Sequence, residues 1–369
     1  MNGKVTSISG ATVCVDLPDL KIGDRVFVGI NRLTGEVVRL EGGIATVQVF
    51  EDNRGLGIGE PVKSAQGPLT VQLGPGLLGG VFDGLQRPLD KLQEISGDFI
   101  SGGQDLFPLD CSRLWEFNPA CATGDVLEPG EAFGKVQEGH IDHLLLSPQR
   151  GRLAHLHTGS LQLEQPAAQF EDGQPLFGWH SWPVRKARPV RRKLPPATPL
   201  VTGQRCLDFL FPMLKGGVSI VPGGFGTGKT VLEQTIAKFA DVDVVVYVGC
   251  GERGNEMAGL LDEFYELQDP RRDRPLMERT IIVANTSNMP VAARESSIFT
   301  AVSMAEYYRD MGLDVLFLAD SLSRWAEALR EISAALEEMP GEDGYPTYLG
   351  SRLSGFIERA GVVETVTGA

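Results

Sequence analysis

Eight residues at 223–230, GGFGTGKT, constrain the fold more than any other segment of the chain. They match the spacing G-x-x-x-x-G-K-S/T between an apolar run at 218–221, predicted to be a strand, and a helical pattern at 229–240. In that setting glycines let backbone N–H groups face a polyphosphate, and the helix N-terminus adds partial positive charge. We therefore predict a phosphate loop for a nucleoside triphosphate. Its residues are Gly223, Gly224, Phe225, Gly226, Thr227, Gly228, Lys229 and Thr230.

The last two loop residues carry the side chains with the clearest chemistry. Lys229 is expected to reach the β- and γ-phosphates of the nucleotide, and the Thr230 hydroxyl is expected to bind Mg²⁺. ATP or ADP with Mg²⁺ is therefore the expected ligand.

Two acidic residues follow apolar strands farther along the chain. Asp320 ends the run VLFLAD, and Glu252 follows the strand predicted at 242–248. Because ligands bind at the carboxyl ends of parallel strands, both carboxylates are expected near the phosphate loop. Asp320 would hold Mg²⁺ through water, and Glu252 would polarise an attacking water. A helix cap for Asp320 and a surface charge paired with Arg253 for Glu252 are the alternatives at this point.

The order of predicted elements indicates an α/β fold in the second half of the chain. Strands and helices alternate there, which is typical of a parallel sheet covered on both faces. Strands are predicted at 218–221, 242–248, 280–284 and 314–319, and helices at 229–240, 255–266, 293–309 and 323–336.

The first half of the chain is predicted to be rich in β-structure. Apolar and polar residues alternate at strand period over the first 60 residues, which favours a small β-barrel. The Gly- and Pro-rich stretch at 67–103 is predicted to be loop-like, and short strands are predicted again from 110 to 182. We expect four regions: a barrel at 1–66, a connecting segment at 67–109, a β-rich insert with a linker at 110–194, and a P-loop ATP-binding core at 195–369.

The composition excludes several classes of protein. Apolar residues make up 42% and charged residues 22% of the chain, the balance of a soluble globular protein. The formal net charge of −14 argues against nucleic-acid binding, which depends on clustered Lys and Arg. The basic run at 185–193 is interrupted by proline and is interpreted as a solvated linker. With neither an apolar run of about 18 residues nor a secretory signal, a cytoplasmic location is expected.

Four further segments carry a family resemblance. They are GCGERGNEM at 249–257, ANTSNMPVAARE at 284–295, SRWAEALRE at 323–331 and EEMPGEDGYP at 337–346. Together with the phosphate loop they resemble the catalytic A (alpha) subunit of V-type or archaeal-type rotary ATPases and ATP synthases. The resemblance covers essentially the whole chain and implies a RecA-like P-loop core, an N-terminal small β-barrel and an inserted β-rich bulge domain.

The resemblance also implies roles for single residues. Lys229 and Thr230 match the phosphate and Mg²⁺ residues, and Glu252 matches the carboxylate that positions the hydrolytic water. Arg253 belongs to the same Gly-Glu-Arg element. Asp320 matches the metal-side aspartate, and Arg324 matches an arginine that approaches the phosphates.

The implied activity belongs to an assembly rather than to one chain. The family interconverts ATP with ADP and phosphate, coupled to H⁺ or Na⁺ transport by a membrane sector that this protein reaches only indirectly. The expected partners are a B (beta) subunit in an alternating A/B hexamer, the central rotor and the peripheral stalk. The B (beta) subunit supplies the arginine finger that stabilises charge in the transition state.

Some features depart from the family pattern. Gly224 stands where archaeal-type members usually carry Pro or Ala, and Leu322 replaces the usual Thr between two serines. The family continues beyond the position of Ala369 with further core strands, an adenine contact and a C-terminal helical domain. A C-terminally truncated chain that lacks the helical domain is therefore expected, with negligible ATPase activity on its own.

Other functions remain as alternatives. One is a non-catalytic nucleotide-binding subunit, against which the intact Lys229 and Glu252 argue. A related hexameric motor, for protein export or RNA translocation, is disfavoured by the β-rich insert and the acidic charge. The last is an inactive truncated fragment of the same family.

Overall fold

The N-terminal strands close into a six-stranded β-barrel. The structure is a computed structural model and describes residues 2–97, 100–224 and 226–366. The barrel consists of β1 (Asn2–Ser9), β2 (Thr12–Asp16), β3 (Asp24–Val28), β4 (Leu33–Glu41), β5 (Ile44–Val49) and β6 (Pro61–Pro68). These strands pair in the closed order β1-β2-β5-β4-β3-β6. Alternate residues such as Val13 and Val15 fill the interior. The predicted barrel is confirmed.

The segment after the barrel contains β7 (Thr70–Leu73), β8 (Val81–Phe82) and α1 (Leu89–Ser96). The prediction of a loop-like stretch at 67–103 was therefore wrong for these residues. Their apolar side chains are buried despite the many glycines, because Leu73 and Phe82 belong to the main hydrophobic core. Burial against distant elements overrides the local turn signals.

Two four-stranded sheets form the β-rich region, residues 115–177. Its strands are β9 (Trp115–Pro119), β10 (Val126–Leu127), β11 (Ala132–Glu138), β12 (Ile141–Leu146), β13 (Gly151–Leu156), β14 (Gly159–Leu161), β15 (Pro166–Phe170) and β16 (Pro175–Phe177). The sheet orders are β12-β11-β9-β14 and β10-β13-β15-β16. The next strand, β17 (His180–Pro183), pairs antiparallel with β7 and so returns the chain to the connecting segment.

The remaining elements alternate between strands and helices. They are β18 (Arg192–Leu194), β19 (Pro199–Leu200), α2 (Arg205–Leu210), β20 (Met213–Leu214), α3 (Lys229–Phe239), β21 (Val244–Glu252), α4 (Gly254–Glu266), β22 (Gln268–Asp269), β23 (Arg274–Pro275), β24 (Thr280–Thr286), α5 (Val291–Asp310), β25 (Val315–Asp320), α6 (Leu322–Ala335), α7 (Leu349–Ile357) and β26 (Val362–Glu364). Short 3-10 helices cover Leu276–Arg279 and Glu342–Gly344.

A parallel sheet in the order β25-β21-β24-β8 organises this part of the chain. Successive side chains of β21 point to opposite faces, as strand geometry requires. Val246 and Val248 pack in one core with α5, α6 and α7, whereas Val245 and Tyr247 pack in a second core with α3 and α4. The predicted α/β fold, with helices on both faces of a parallel sheet, is confirmed.

The strand predicted at 218–221 is not formed. Residues 217–224 have no regular secondary structure, and Val218 and Ile220 are 54% and 75% exposed. In the described sheet the edge strand β25 pairs with β21 alone, so no strand from residues 218–221 adds to it. An apolar run becomes a strand only when its backbone groups find a neighbouring strand.

Helix α5 joins the parallel sheet to the rest of the molecule. Most of its residues are buried, because the parallel sheet, α6 and β7 surround it. Arg185 links it to the barrel: its guanidinium donates hydrogen bonds to Glu36 on β4 and to Glu295 on α5, with the Nη2 atom 2.7 Å from one oxygen of each. The two carboxylates are only 6% and 5% exposed.

A second buried polar group lies at the other end of α5. His180 is 8% exposed, and its Nε2 atom accepts a hydrogen bond of 3.0 Å from the Arg188 guanidinium. Arg188 also pairs with Asp310 of α5. Burial and the Arg188 charge together lower the pKa of His180 to about 3. The imidazole is therefore neutral in the folded chain.

Among the residues that the structure describes, no helix combines the length and the apolar character needed to cross a lipid bilayer.

Replacing Arg185 with Gln should destabilise the chain, because two buried carboxylates lose their counter-charge. Breaking such a pair costs about 3 kcal/mol, and urea unfolding measures it. The control is Arg150→Gln, whose pair with Glu128 is 73% and 53% exposed, so that a loss below about 1 kcal/mol is expected there. Equal losses in the two variants would contradict a role for Arg185 as the link between two buried carboxylates.

The neutral His180 should make the fold sensitive to acid. Its folded pKa lies below its unfolded value, so its contribution to stability is present above pH 6.5 and is lost as the pH falls from 6.5 toward 3. Lowering the pH from 7 to 5 should remove about 2 kcal/mol from the unfolding free energy through this group. His180→Gln should remove that part of the pH dependence, whereas His155→Gln, at an exposed position, should retain it.

Candidate functional site

The glycine-rich segment forms a turn directly before α3. Gly226 and Gly228 have φ angles of 77° and 85°, a left-handed backbone that favours glycine. Gly228 is the N-cap of α3, and no side chain caps the helix there. Its first-turn N–H groups and the positive end of the helix dipole therefore lie beside the loop. Phe225 lies outside the described residues.

Side chains of the loop bond to the loop's own backbone. The Lys229 ammonium donates to the carbonyl oxygen of Gly223 at 2.8 Å, and the Thr227 hydroxyl donates to that of Gly224 at 2.9 Å. A Cβ atom at Gly223 would lie 2.5 Å from the Thr227 hydroxyl oxygen, so any other residue there would force the Thr227 side chain to move. At Gly224 a Cβ would meet no atom within 4 Å, so this face of the loop is open.

Asp320 lies at the carboxyl end of β25, beside Gly249 of β21. Its Oδ2 atom accepts two hydrogen bonds, from the Thr230 hydroxyl at 2.8 Å and from the Tyr247 hydroxyl at 3.0 Å. The residue is 5% exposed. The sequence argument placed Thr230 and Asp320 at one metal, and the structure brings the two side chains into contact.

Glu252 ends β21 just after a β-bulge. The register to β24 shifts between Cys250 and Glu252, and Gly251 adopts a φ of 75° at that point. Such a bulge re-aims the side chain that follows it. Burial, followed by the charges of Asp320 and Glu256, raises the pKa of Glu252, while a hydrogen bond from Ser321 opposes the rise. The carboxylate is thus more basic than an exposed glutamate.

The two arginines proposed from the sequence lie on the outer side of the same edge. Arg253 is the N-cap of α4, and its guanidinium lies 3.7 Å from the Glu256 carboxylate. Arg324 lies in the first turn of α6 and donates to Glu327 at 2.9 Å. Their side chains are 54% and 48% exposed, so both are open to solvent beside Glu252.

Several residues of this edge escaped the sequence analysis. Tyr247 bonds to Asp320, and Arg294 packs its side chain against Gly251, where an added Cβ would lie 2.7 Å from the Arg294 Cδ atom. Glu233 lies on α3 one turn after Lys229, and its charge couples to those of Asp320 and Glu252. Glu233 follows Lys229 by four residues, and this spacing places both side chains on one face of a helix. The sequence alone therefore contained a signal for Glu233 as a residue of the site.

The oxygen donors at this edge fit Mg²⁺. The Thr230 hydroxyl and the Asp320 carboxylate are hard ligands, and the Oε2 atom of Glu233 is buried without a hydrogen-bond partner. Within the described ranges no group of three or more His, Cys, Asp or Glu side chains is close enough to hold a metal ion by itself. Mg²⁺ usually takes one or two protein ligands and completes its shell with water and phosphate oxygens, which agrees with this donor set.

Comparisons with known proteins identify related families and folds. Three family models match: the ATP synthase alpha/beta family beta-barrel domain at 5–65, the ATP synthase alpha/beta subunit barrel-sandwich domain at 106–185, and the ATP synthase alpha/beta family nucleotide-binding domain at 203–369. Among solved structures, the assembled ATPase EscN from the enteropathogenic E. coli type III secretion system has a TM-score of 0.68. It is 22% identical, with 98% of this chain and 67% of that chain covered, and supports the fold alone.

Curated relatives are much closer in sequence. The V-type ATP synthase alpha chain of Anaeromyxobacter dehalogenans (strain 2CP-C) is 56% identical over 100% of this chain and 64% of its own length. The A subunit of the A-type ATP synthase of Methanothrix thermoacetophila is 53% identical over 99% of this chain and 64% of its own length. The chain thus spans slightly less than two-thirds of the length of these relatives. With these identities and three matching domains in the expected order, the chain belongs to the ATP synthase alpha/beta family, among the alpha (A) subunits of V-type and A-type ATP synthases.

Proposed function

We propose that the chain is the nucleotide-handling part of a catalytic alpha (A) subunit, which interconverts ATP with ADP and phosphate in a V/A-type rotary ATP synthase. The main support for the proposal is that three features of the site lie at one edge of the parallel sheet. The phosphate loop, the Thr230–Asp320 pair and the basic Glu252 carboxylate all lie at the carboxyl ends of β21 and β25. The relatives named as ATP synthase subunits support the assignment.

The loop and α3 would bind the phosphates. The first-turn N–H groups of α3 and the Lys229 ammonium supply positive charge where a polyphosphate carries negative charge. Thr230 and Asp320 would hold Mg²⁺, which when bound neutralises charge on the phosphate oxygens. Arg324 and Arg253 are solvent-open guanidiniums at the same edge and would face the phosphates from the other side.

Glu252 would position the attacking water. Its raised pKa makes it a better acceptor of a proton or hydrogen bond from water than an exposed glutamate. The chain's part in hydrolysis is therefore to align water, phosphate and counter-charge. In the reverse direction the same groups would hold ADP and phosphate together.

The assembly is part of the proposal. A B (beta) subunit would alternate with this protein in a hexamer and would provide the arginine finger, with the central rotor and peripheral stalk transmitting rotation. Coupled transport of H⁺ or Na⁺ would take place in a separate membrane sector. The protein itself would lie on the cytoplasmic side, peripheral to the membrane.

Replacing Lys229 with Ala should weaken nucleotide binding and turnover together, because the ammonium contacts phosphate in the ground state and in the transition state. We expect the Kd for ATP to rise at least about tenfold in calorimetry, a loss of about 1.4 kcal/mol. Lys238→Ala, at the far end of the same helix, is the matched control and should bind as the parent does. Unchanged affinity in the Lys229 variant would make the loop a structural turn.

Replacing Glu252 with Gln in the assembled complex should leave ATP binding within about twofold and lower kcat by about 10²–10⁴-fold, the usual contribution of a positioned general base. Phosphate release and nucleotide binding are measured on the same preparation. Glu263→Gln, at an exposed position on α4, controls for the loss of one negative charge. Parent-like turnover in Glu252→Gln would remove the catalytic role and favour a non-catalytic nucleotide-binding protein.

A further inference from the structure

Glu233 carries a buried carboxyl oxygen for which the fold provides no partner. The residue lies on α3, one turn beyond Lys229 and three residues after Thr230, and faces the carboxyl edge of the sheet. Its Oε2 atom is buried and makes no hydrogen bond. Leaving such an acceptor unsatisfied is unfavourable, so a buried carboxyl oxygen without a hydrogen bond calls for a ligand or a function.

The groups around Glu233 carry excess negative charge. The charges of Asp320, at the end of β25, and Glu252, at the end of β21, act on Glu233; among the described residues, the cation that acts on it is Lys229. Burial and the two carboxylates together raise the pKa of Glu233 to about 8. The Asp320 and Glu252 charges outnumber that of Lys229, which favours a further cation beside Glu233.

We propose that Glu233 is a positioning residue for the divalent cation of the bound nucleotide, and that its Oε2 atom accepts a hydrogen bond from a water molecule in the Mg²⁺ shell. The inference rests on the proposed function and adds a residue to its site. Thr230 and Asp320 remain the residues that hold the ion. A role through water fits the absence, within the described ranges, of any three-carboxylate cluster tight enough to bind a metal directly.

The chemistry of Mg²⁺ makes such a role effective. The ion keeps several of its waters, and the protein controls it largely by orienting them. Carboxylates that bond to ligands or waters of a metal typically change metal affinity by about 10–100-fold when removed. Glu233 would thus raise the affinity for the metal–nucleotide complex without adding to the affinity for the free nucleotide.

A structural role for Glu233 predicts different behaviour. A neutral glutamic acid that merely packs against the sheet can be replaced by Gln, which has the same shape, without any effect on metal dependence. The two roles therefore separate in the dependence of nucleotide affinity on Mg²⁺, which does not require turnover.

The experiment measures ADP binding to the chain of residues 1–369 by calorimetry, in EDTA and in saturating Mg²⁺. The parent, Glu233→Gln and the control Glu263→Gln are compared. In the parent and the control, Mg²⁺ should tighten ADP binding. In Glu233→Gln that tightening should fall by about tenfold, while ADP affinity in EDTA stays equal or rises slightly. Electron paramagnetic resonance of Mn²⁺ with ADP should show the same loss of metal affinity.

The outcomes distinguish the inference from the function on which it rests. Parent-like tightening in Glu233→Gln, or equal weakening with and without Mg²⁺, would overturn the role of Glu233 and leave the nucleotide site intact. A parent that binds no ADP under either condition would overturn the proposed function, and the inference with it. If circular dichroism shows that the Gln variant is misfolded, Glu233→Asp replaces it; a carboxylate shorter by one methylene should reduce the Mg²⁺ effect while retaining ADP binding in EDTA.

Discussion

The central strand of the parallel sheet, β21, is the element on which fold and site both depend. It pairs with β24 on one side and β25 on the other, and its alternate residues belong to two separate hydrophobic cores. Because the strand is fixed on four sides, the position of its last residues is fixed as well. The bulge at Gly251 then turns Glu252 toward Asp320, the end of the neighbouring strand.

Charge is concentrated at the edge that this strand defines. Glu252 and Asp320 end two neighbouring strands, and burial together with their two charges raises the pKa of Glu233 on α3. A fold selected for stability alone has little reason to gather three acids there. The arrangement is consistent with a site that handles a cation together with an anionic ligand, since each supplies the charge that the other lacks.

Sequence reasoning recovered the elements whose signals are local. The helices α3, α4 and α6 were predicted to within a few residues, because the spacing of apolar residues in the sequence is enough to indicate a helix. The phosphate-loop motif was enough to place Thr230 near Asp320, but the bond from Tyr247 to Asp320 could not be predicted, since it depends on the register of β21 against β25. The run at 218–221 has the composition of a buried strand but finds no neighbour, whereas β8 forms in a glycine-rich stretch because β24 offers it an edge. Pairing partners, more than local propensity, decide which apolar runs become strands in this chain.

Similarity of fold does not by itself indicate the function of this protein. The secretion ATPase EscN shares the architecture over 98% of the chain at only 22% identity, so the architecture by itself does not distinguish a secretion motor from a component of an ATP synthase. The two kinds of protein differ in the side chains that the shared fold positions. Glu233 illustrates the point: it lies outside the phosphate-loop motif, and its importance follows from an unbonded buried oxygen and neighbouring charges rather than from the fold. Residues of this kind can change the metal affinity of a shared type of ATP site without altering the fold around it.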